Sequence, residues 1–151
     1  MPPLPIARLL AAATRMTIEA LHDELAELGH ADLRPAHGYA LNTVGEHGTT
    51  AARLAGDLGM TKQGAAKLVE TLVHRGYLDR SEHAGDARAR LLTLTPHGRE
   101  LLASAERIQR ELEARWARAA GSEDVAALRR ALEAVVDERS GTGPPPLRPI
   151  W

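Results

Sequence analysis

Residues 60–98, MTKQGAAKLVETLVHRGYLDRSEHAGDARARLLTLTPHG, constrain this chain more than any other stretch. A helix with Thr61, Lys62, Gln63 and Lys67 on one side runs up to Gly76. Two runs with strand character follow, 77–83 and 90–95, joined by the polar tip AGDARA. A helix and then an antiparallel hairpin with a charged tip offers two probes side by side. One is a helix of the width a DNA major groove admits, the other a basic loop next to it.

The rest of the chain supports that unit. Ala55 stands four residues before Gly59, at a turn that needs positive φ. Leu54, Leu58, Ala65, Leu68 and Leu72 fall where two short helices would face each other, the internal spacing of a helix-turn-helix. A hydroxyl at Thr49 or Thr50 can cap the first of these two, because it accepts a bond from a free N–H of the first turn. Helix-turn-helix followed by hairpin is the order of a winged helix.

Long helices flank this lobe. Ile6, Leu9, Leu10, Ala13, Met16, Ala20, Leu21, Leu25 and Leu28 recur three and four apart between Pro5 and Gly29. A second helix starts near Pro35, with Ala36, Tyr39, Ala40, Thr43 and Val44 inward, and stops before Gly48. Past the hairpin, Thr95 caps and Pro96 occupies the first turn of a helix with Leu101, Ala105, Ile108, Leu112, Trp116 and Ala119 on its stripe. Gly121 breaks it and Ser122 caps a last helix. Glu123 and Asp124 sit at its positive end, and Val125, Leu128, Leu132 and Val135 form its stripe. The sequence therefore predicts a mainly α fold with a small β-hairpin wing. It divides into helices over 5–29 and 96–139, a winged helix-turn-helix lobe over about 35–95, and a Pro-rich tail over 140–151. That tail ends on Ile150 and Trp151, whose apolar bulk predicts docking on the long helices.

Charge follows the same division. Residues 1–52 carry Arg8, Arg15 and Arg34 against six acidic groups, whereas residues 53–90 carry Arg53, Lys62, Lys67, Arg75, Arg80, Arg88 and Arg90 against five. The positive charge gathers on the helix–hairpin unit, although the whole chain has a formal net charge of −1. There are no cysteines, which removes disulfides, thiol redox chemistry and cysteine nucleophiles. The run IARLLAAATRM is broken by Arg8 and Arg15, and nothing reaches the roughly 18 apolar residues of a membrane span. The expectation is a cytoplasmic protein that does not enter a membrane.

The chain resembles the MarR family of bacterial transcriptional regulators over about 9–136. The resemblance rests on LVETLVHRGYLDR (68–80), the Asp86-x-Arg88 pair and LLTLTPHG (91–98), with Leu72, Gly76, Arg80, Leu94, Thr95 and Gly98 at the family's marked positions. It departs at Gly64, Ala65 and Ala66, where the family's recognition helix often carries polar residues. The resemblance implies a homodimer whose first and last two helices form the interface. It further implies a sequence-specific regulator of pseudo-palindromic double-stranded DNA, expected to be a repressor released by a small aromatic or amphipathic effector. The alternative is a winged-helix protein-interaction module that binds no DNA. A third class, the dimerisation half of a small-molecule methyltransferase, would need a doubly wound domain after the wing.

The expected DNA-contacting residues are Thr50, Thr61, Lys62, Gln63, Gly64, Ala66, Lys67, Arg88 and Arg90. A helix N-terminus suits a phosphate, lysines neutralise backbone charge, and Gln63 can bond an adenine edge while Ala66 meets a thymine methyl. Arg88 and Arg90 alternate on one strand and can enter a minor groove. Asp86 would orient an arginine by a charge-assisted bond. His37, Tyr39 and Trp116 are candidates for an effector pocket. His22, Glu24, Glu27, His30 and His37 are close in sequence, but their spacing does not place a helical ligand pair, and the long helix after the wing has no histidine beyond His97. No metal site, cofactor or catalytic group is expected, since neither a nucleophile elbow nor a phosphate loop occurs.

Overall fold

The structure, a computed structural model, describes residues 3–83 and 86–140. The expectation of a docked tail ending in Ile150 and Trp151 lies outside the described residues. So do the wing-tip residues 84–85 and the side chains over 82–89, including those of Asp86 and Arg88.

Among the described residues, six helices and three strands follow one another: α1 Ile6–Glu27, α2 Pro35–Val44, β1 Thr49–Thr50, α3 Ala51–Leu58, α4 Lys62–His74, β2 Leu78–His83, β3 Asp86–Leu94, α5 Pro96–Ala120 and α6 Ser122–Ser140. The sheet order is β1-β3-β2, antiparallel throughout. Strand β1 was not legible in the sequence. Two residues are too few for an alternating pattern, and they are strand only because they pair with β3, Thr49 opposite Leu92 and Thr50 opposite Leu91. Strand β3 starts at Asp86 rather than Arg90, so the hairpin reaches further toward its tip than the apolar alternation indicates. Its ladder with β2 runs in register from Leu78–Leu94 to Glu82–Arg90 and becomes irregular between Glu82 and His83.

The helix boundaries follow their caps. The Thr50 hydroxyl accepts from the Arg53 N–H at 3.3 Å, Thr61 from Gly64 at 3.0 Å and Thr95 from Gly98 at 3.0 Å. The α3–α4 turn closes on Gly59 at φ 62°, left-handed as the spacing requires.

Burial separates the molecule into a well-filled lobe and helices that are half bare. The lobe core gathers Ala40, Leu41 and Val44 of α2, Leu54 and Leu58 of α3, Leu68, Val69 and Leu72 of α4, and Tyr77, Leu78, Leu92 and Leu94 of the hairpin, closed by Leu101 of α5. A second, smaller core joins Leu25 of α1 to Ile108 and Leu112 of α5. Ala20, Leu21 and Ala105 pack against it, but the outer parts of the stripes stay uncovered within the chain. Ile6 is 74 % and Met16 66 % exposed, and Leu9, Trp116, Leu128, Leu132 and Val135 are also exposed. Among the described residues, no helix is long and apolar enough to cross a membrane.

Candidate nucleic-acid interface

Helix α4 buries one face and presents the other. Ala65, Leu68, Val69 and Leu72 are packed into the lobe, and Thr61, Lys62, Gln63, Ala66 and Lys67 are exposed. That division is the helical period at work, since positions 65, 68, 69 and 72 share a side and 63, 66 and 67 lie away from it, while Lys62 is exposed because it is the first residue of the helix. Two cations, an amide and a small methyl therefore project together from the helix's first two turns. The Thr61 cap sets where that face begins.

Gly64 is half-buried, and a β-carbon there would sit 3.1 Å from Thr61 Oγ1. Thr50, one of the expected contacts, is half-buried and occupied as the cap of α3, so its hydroxyl faces its own helix. The wing adds Arg90, exposed on β3, two residues after Arg88 in the same strand. Arg53 on α3 and Arg80 on β2 are exposed as well and enlarge the basic surface.

The hairpin root is tied to α5 by an unusually close set of contacts. The Thr95 N–H donates to the Tyr77 carbonyl at 3.1 Å, and its hydroxyl donates to the Gly76 carbonyl at 2.5 Å while capping α5. Arg75, the residue after α4, donates from its guanidinium to the carbonyls of Ala31 and Asp32 and lies 5.5 Å from the Tyr77 ring centroid. The α4 end, the wing root and the α1–α2 connection are thereby fastened to one another.

The three residues singled out for an effector pocket are not brought together. His37 is buried, and its Nδ1 accepts from the Arg34 N–H at 3.0 Å, closing the first turn of α2. Burial pushes its imidazole below the ordinary value of 6.5, with Arg75, Arg34 and His22 acting in the same direction. Tyr39 is half-buried against the lobe core. Trp116 lines a groove of about 450 Å³ between α5 and α6 with Val125, Leu128 and Leu132, and neither His37 nor Tyr39 is among the residues lining it.

Residues 31–89, covering α2 to the start of β3, match the family model described as MarR family. HTH-type transcriptional regulator PetP of Rhodobacter capsulatus is 35 % identical over 107 residues, 70 % of this chain. The chain spans 64 % of that relative's length. The reduced form of MarR from E. coli superposes with a TM-score of 0.75 at 20 % identity, over 90 % of this chain and 99 % of that one. A cysteine-to-serine mutant of the E. coli protein, solved in complex with operator DNA, gives a TM-score of 0.68 at 21 % identity, over 88 % and 94 % of the two chains.

Proposed function

The chain belongs to the MarR family, and we propose from that premise that it is a dimeric, sequence-specific regulator of transcription that binds double-stranded operator DNA. The observation that carries this reading is the exposed face of α4, where Thr61, Lys62, Gln63, Ala66 and Lys67 project together from a rigidly packed helix. Such a face combines phosphate neutralisation by Lys62 and Lys67 with one side chain, Gln63, able to read a base edge. Arg88 and Arg90 of the wing serve the neighbouring minor groove, where a narrow groove concentrates negative potential. With Gly64, Ala65 and Ala66 at its centre, the helix has few polar side chains, so backbone approach and groove shape carry more of the specificity than hydrogen bonding does.

The dimer follows from the uncovered stripes. Ile6, Leu9 and Met16 of α1 and Leu128, Leu132 and Val135 of α6 leave apolar side chains in water along two helices, and contiguous apolar surface of this kind marks a protein–protein contact. A second copy related by a two-fold axis covers both stripes with the same residues. Two α4 helices then read half-sites about one helical turn apart, ~10 bp centre to centre. Release by a small aromatic or amphipathic effector belongs to the same proposal.

The test is selection of bound fragments from the source genome, followed by titration of the recovered fragment by fluorescence anisotropy at several salt concentrations. A two-fold-related motif, bound by two chains with an affinity that falls steeply with salt, is the expected result. No enrichment, or a complex indifferent to salt, overturns the proposal in favour of a protein-interaction module.

A further inference from the structure

His30, in the turn after α1, is 1 % exposed and has one nitrogen too many for its surroundings. Its Nδ1 stands 3.0 Å from the Tyr77 hydroxyl, whereas its Nε2 is buried with no hydrogen-bond partner. Buried polar atoms are rarely left so, because the water they give up must be replaced. The neighbours of this imidazole are themselves donors of electron pairs. The His97 ring lies 4.8 Å from the His30 ring and stacks on Tyr77 at 4.6 Å and 8°. Glu100, one turn further along α5, comes within 3.6 Å of His97 Nδ1. Ligand atoms of His30, His97 and Glu100 all fall within 4.8 Å of one another.

We propose that His30, His97 and Glu100 bind a divalent transition-metal ion of the zinc class, with the Tyr77 hydroxyl orienting His30 as a partner outside the coordination sphere. Two imidazoles and a carboxylate form a donor set suited to zinc and its neighbours and poorly suited to calcium or magnesium. Coordinating histidines characteristically hold their second ring nitrogen in a hydrogen bond, which fixes the tautomer. A proton on Nδ1 donated to Tyr77 leaves the lone pair on Nε2, the orphaned atom. Burial pushes His30 below the usual histidine range, with His97 adding to the effect, Glu100 opposing it and Arg75 adding again.

The geometry assigns different tasks to the three ligands. Bonds of ~2.0–2.1 Å in a tetrahedron put donor atoms roughly 3.3 Å apart, so the set must draw together by as much as ~1.5 Å. His30 is fixed by burial. His97 and Glu100 stand on the partly exposed first two turns of α5 and have the freedom to rotate inward. Their exposure also leaves a fourth position to water, an open site rather than a closed structural one. One ligand comes from the α1–α2 connection and two from α5, with the hairpin root between them, so the ion would join parts of the fold far apart in sequence. The sequence concealed this arrangement, since His30 and His97 have no helical or strand spacing.

The site stands independently of DNA binding, and its test needs no DNA. The full-length protein, stripped with a chelator, is titrated with zinc in competition with a chromophoric chelator. The same protein is titrated with cobalt(II) and followed by its ligand-field absorption. One ion per chain is expected, with the cobalt spectrum of a four-coordinate site. His97→Ala and Glu100→Gln should each weaken binding at least ~10-fold, and Tyr77→Phe, which keeps the ring, by ~10–100-fold. His47→Ala, at an exposed histidine elsewhere, should change nothing. Absence of stoichiometric binding, or binding that His97→Ala and Glu100→Gln both leave intact, overturns the site. Unchanged binding in Tyr77→Phe removes the orienting role of the hydroxyl.

Discussion

Gly98, in the first turn of α5, lies so close to the Tyr77 carbonyl oxygen that a β-carbon at this position would overlap it. The obstacle is backbone, held by the Thr95 N–H, so it cannot swing aside as a side chain would. Gly98→Ala should therefore cost about 1–3 kcal/mol, a lowering of Tm by some ~2–4 °C for each of them. Gly56→Ala in α3, where a β-carbon meets nothing within 4 Å, should instead be neutral or stabilising by up to ~1 kcal/mol. Thermal unfolding of the two variants side by side checks the contrast. Equal effects would mean that the wing root yields.

Lys62 and Lys67 project from the exposed face of α4, and the proposed role of each is to displace counterions from phosphate. Lys62→Ala should flatten the slope of log affinity against log salt by about one unit without changing which sequence is preferred. Gln63→Ala should do the opposite, leaving the slope and relaxing preference at one base pair of each half-site. Anisotropy titrations against operator variants separate the two behaviours.

For the wing, Arg88→Ala is expected to weaken operator binding by ~1–3 kcal/mol, more than a surface ion pair accounts for, with Tm unchanged. Asp86→Ala should weaken it less, as a group that acts through the arginine. Full affinity in both variants would assign the hairpin a purely structural role.

Protonation should destabilise the fold through His37. Its Nδ1 is the acceptor that closes α2, and Arg75 from the end of α4, Arg34 ahead of its own helix and His22 of α1 all oppose a positive charge there. The folded-state pKa lies below the ordinary 6.5, so the unfolded chain binds more protons between the two values. Stability is complete above about pH 6.5 and declines as pH falls through that window. His37→Gln retains a capping acceptor and cannot titrate. Its Tm should fall less than that of the wild type as pH drops by about one unit either side of ~6.5. Parallel curves would show that His37 makes no contribution.

Leu132 of α6 and Met16 of α1 are exposed in the single chain, so a charge at either costs the lobe nothing. Leu132→Glu and Met16→Glu should each shift the assembly toward monomer, by about 1.5–3 kcal/mol of lost apolar burial for each copy of the side chain. Sedimentation velocity at micromolar concentration gives the answer, and far-ultraviolet circular dichroism confirms an intact fold. A dimer that survives both charges would place its interface elsewhere.

Much of the architecture was legible because it is periodic. The stripes on α1, α4 and α5, the cap of α3 at Thr49 or Thr50, the cap at Thr95 and the turn at Gly59 are local properties, written within a few residues of where they act, whereas the cap at Thr61 went unread. What escaped the sequence is contact between distant segments. Strand β1 exists through Leu91 and Leu92, some forty residues away, and the His30–Tyr77–His97 cluster joins three segments with no common spacing. Trp116 illustrates the same limit from the other side. Its place on the α5 stripe was correct, but which neighbour it meets depended on how α6 folds back, and that set it apart from His37 and Tyr39.

Thr50 belongs to two elements at once. Its backbone pairs with Leu91 in the sheet, and its hydroxyl closes the first turn of α3. No slack residue separates strand from helix, so a tilt of the wing drags α3 with it, and α4 follows through the shared core. Hairpin and reading helix then form a single stiff jaw, fastened by Arg75 to the α1–α2 connection and by Thr95 to the start of α5. In a two-fold assembly, the gap between opposing jaws would be set by the long helices that join the copies and not by bending within either jaw. An operator with a base pair inserted between its half-sites would accordingly be rejected rather than accommodated.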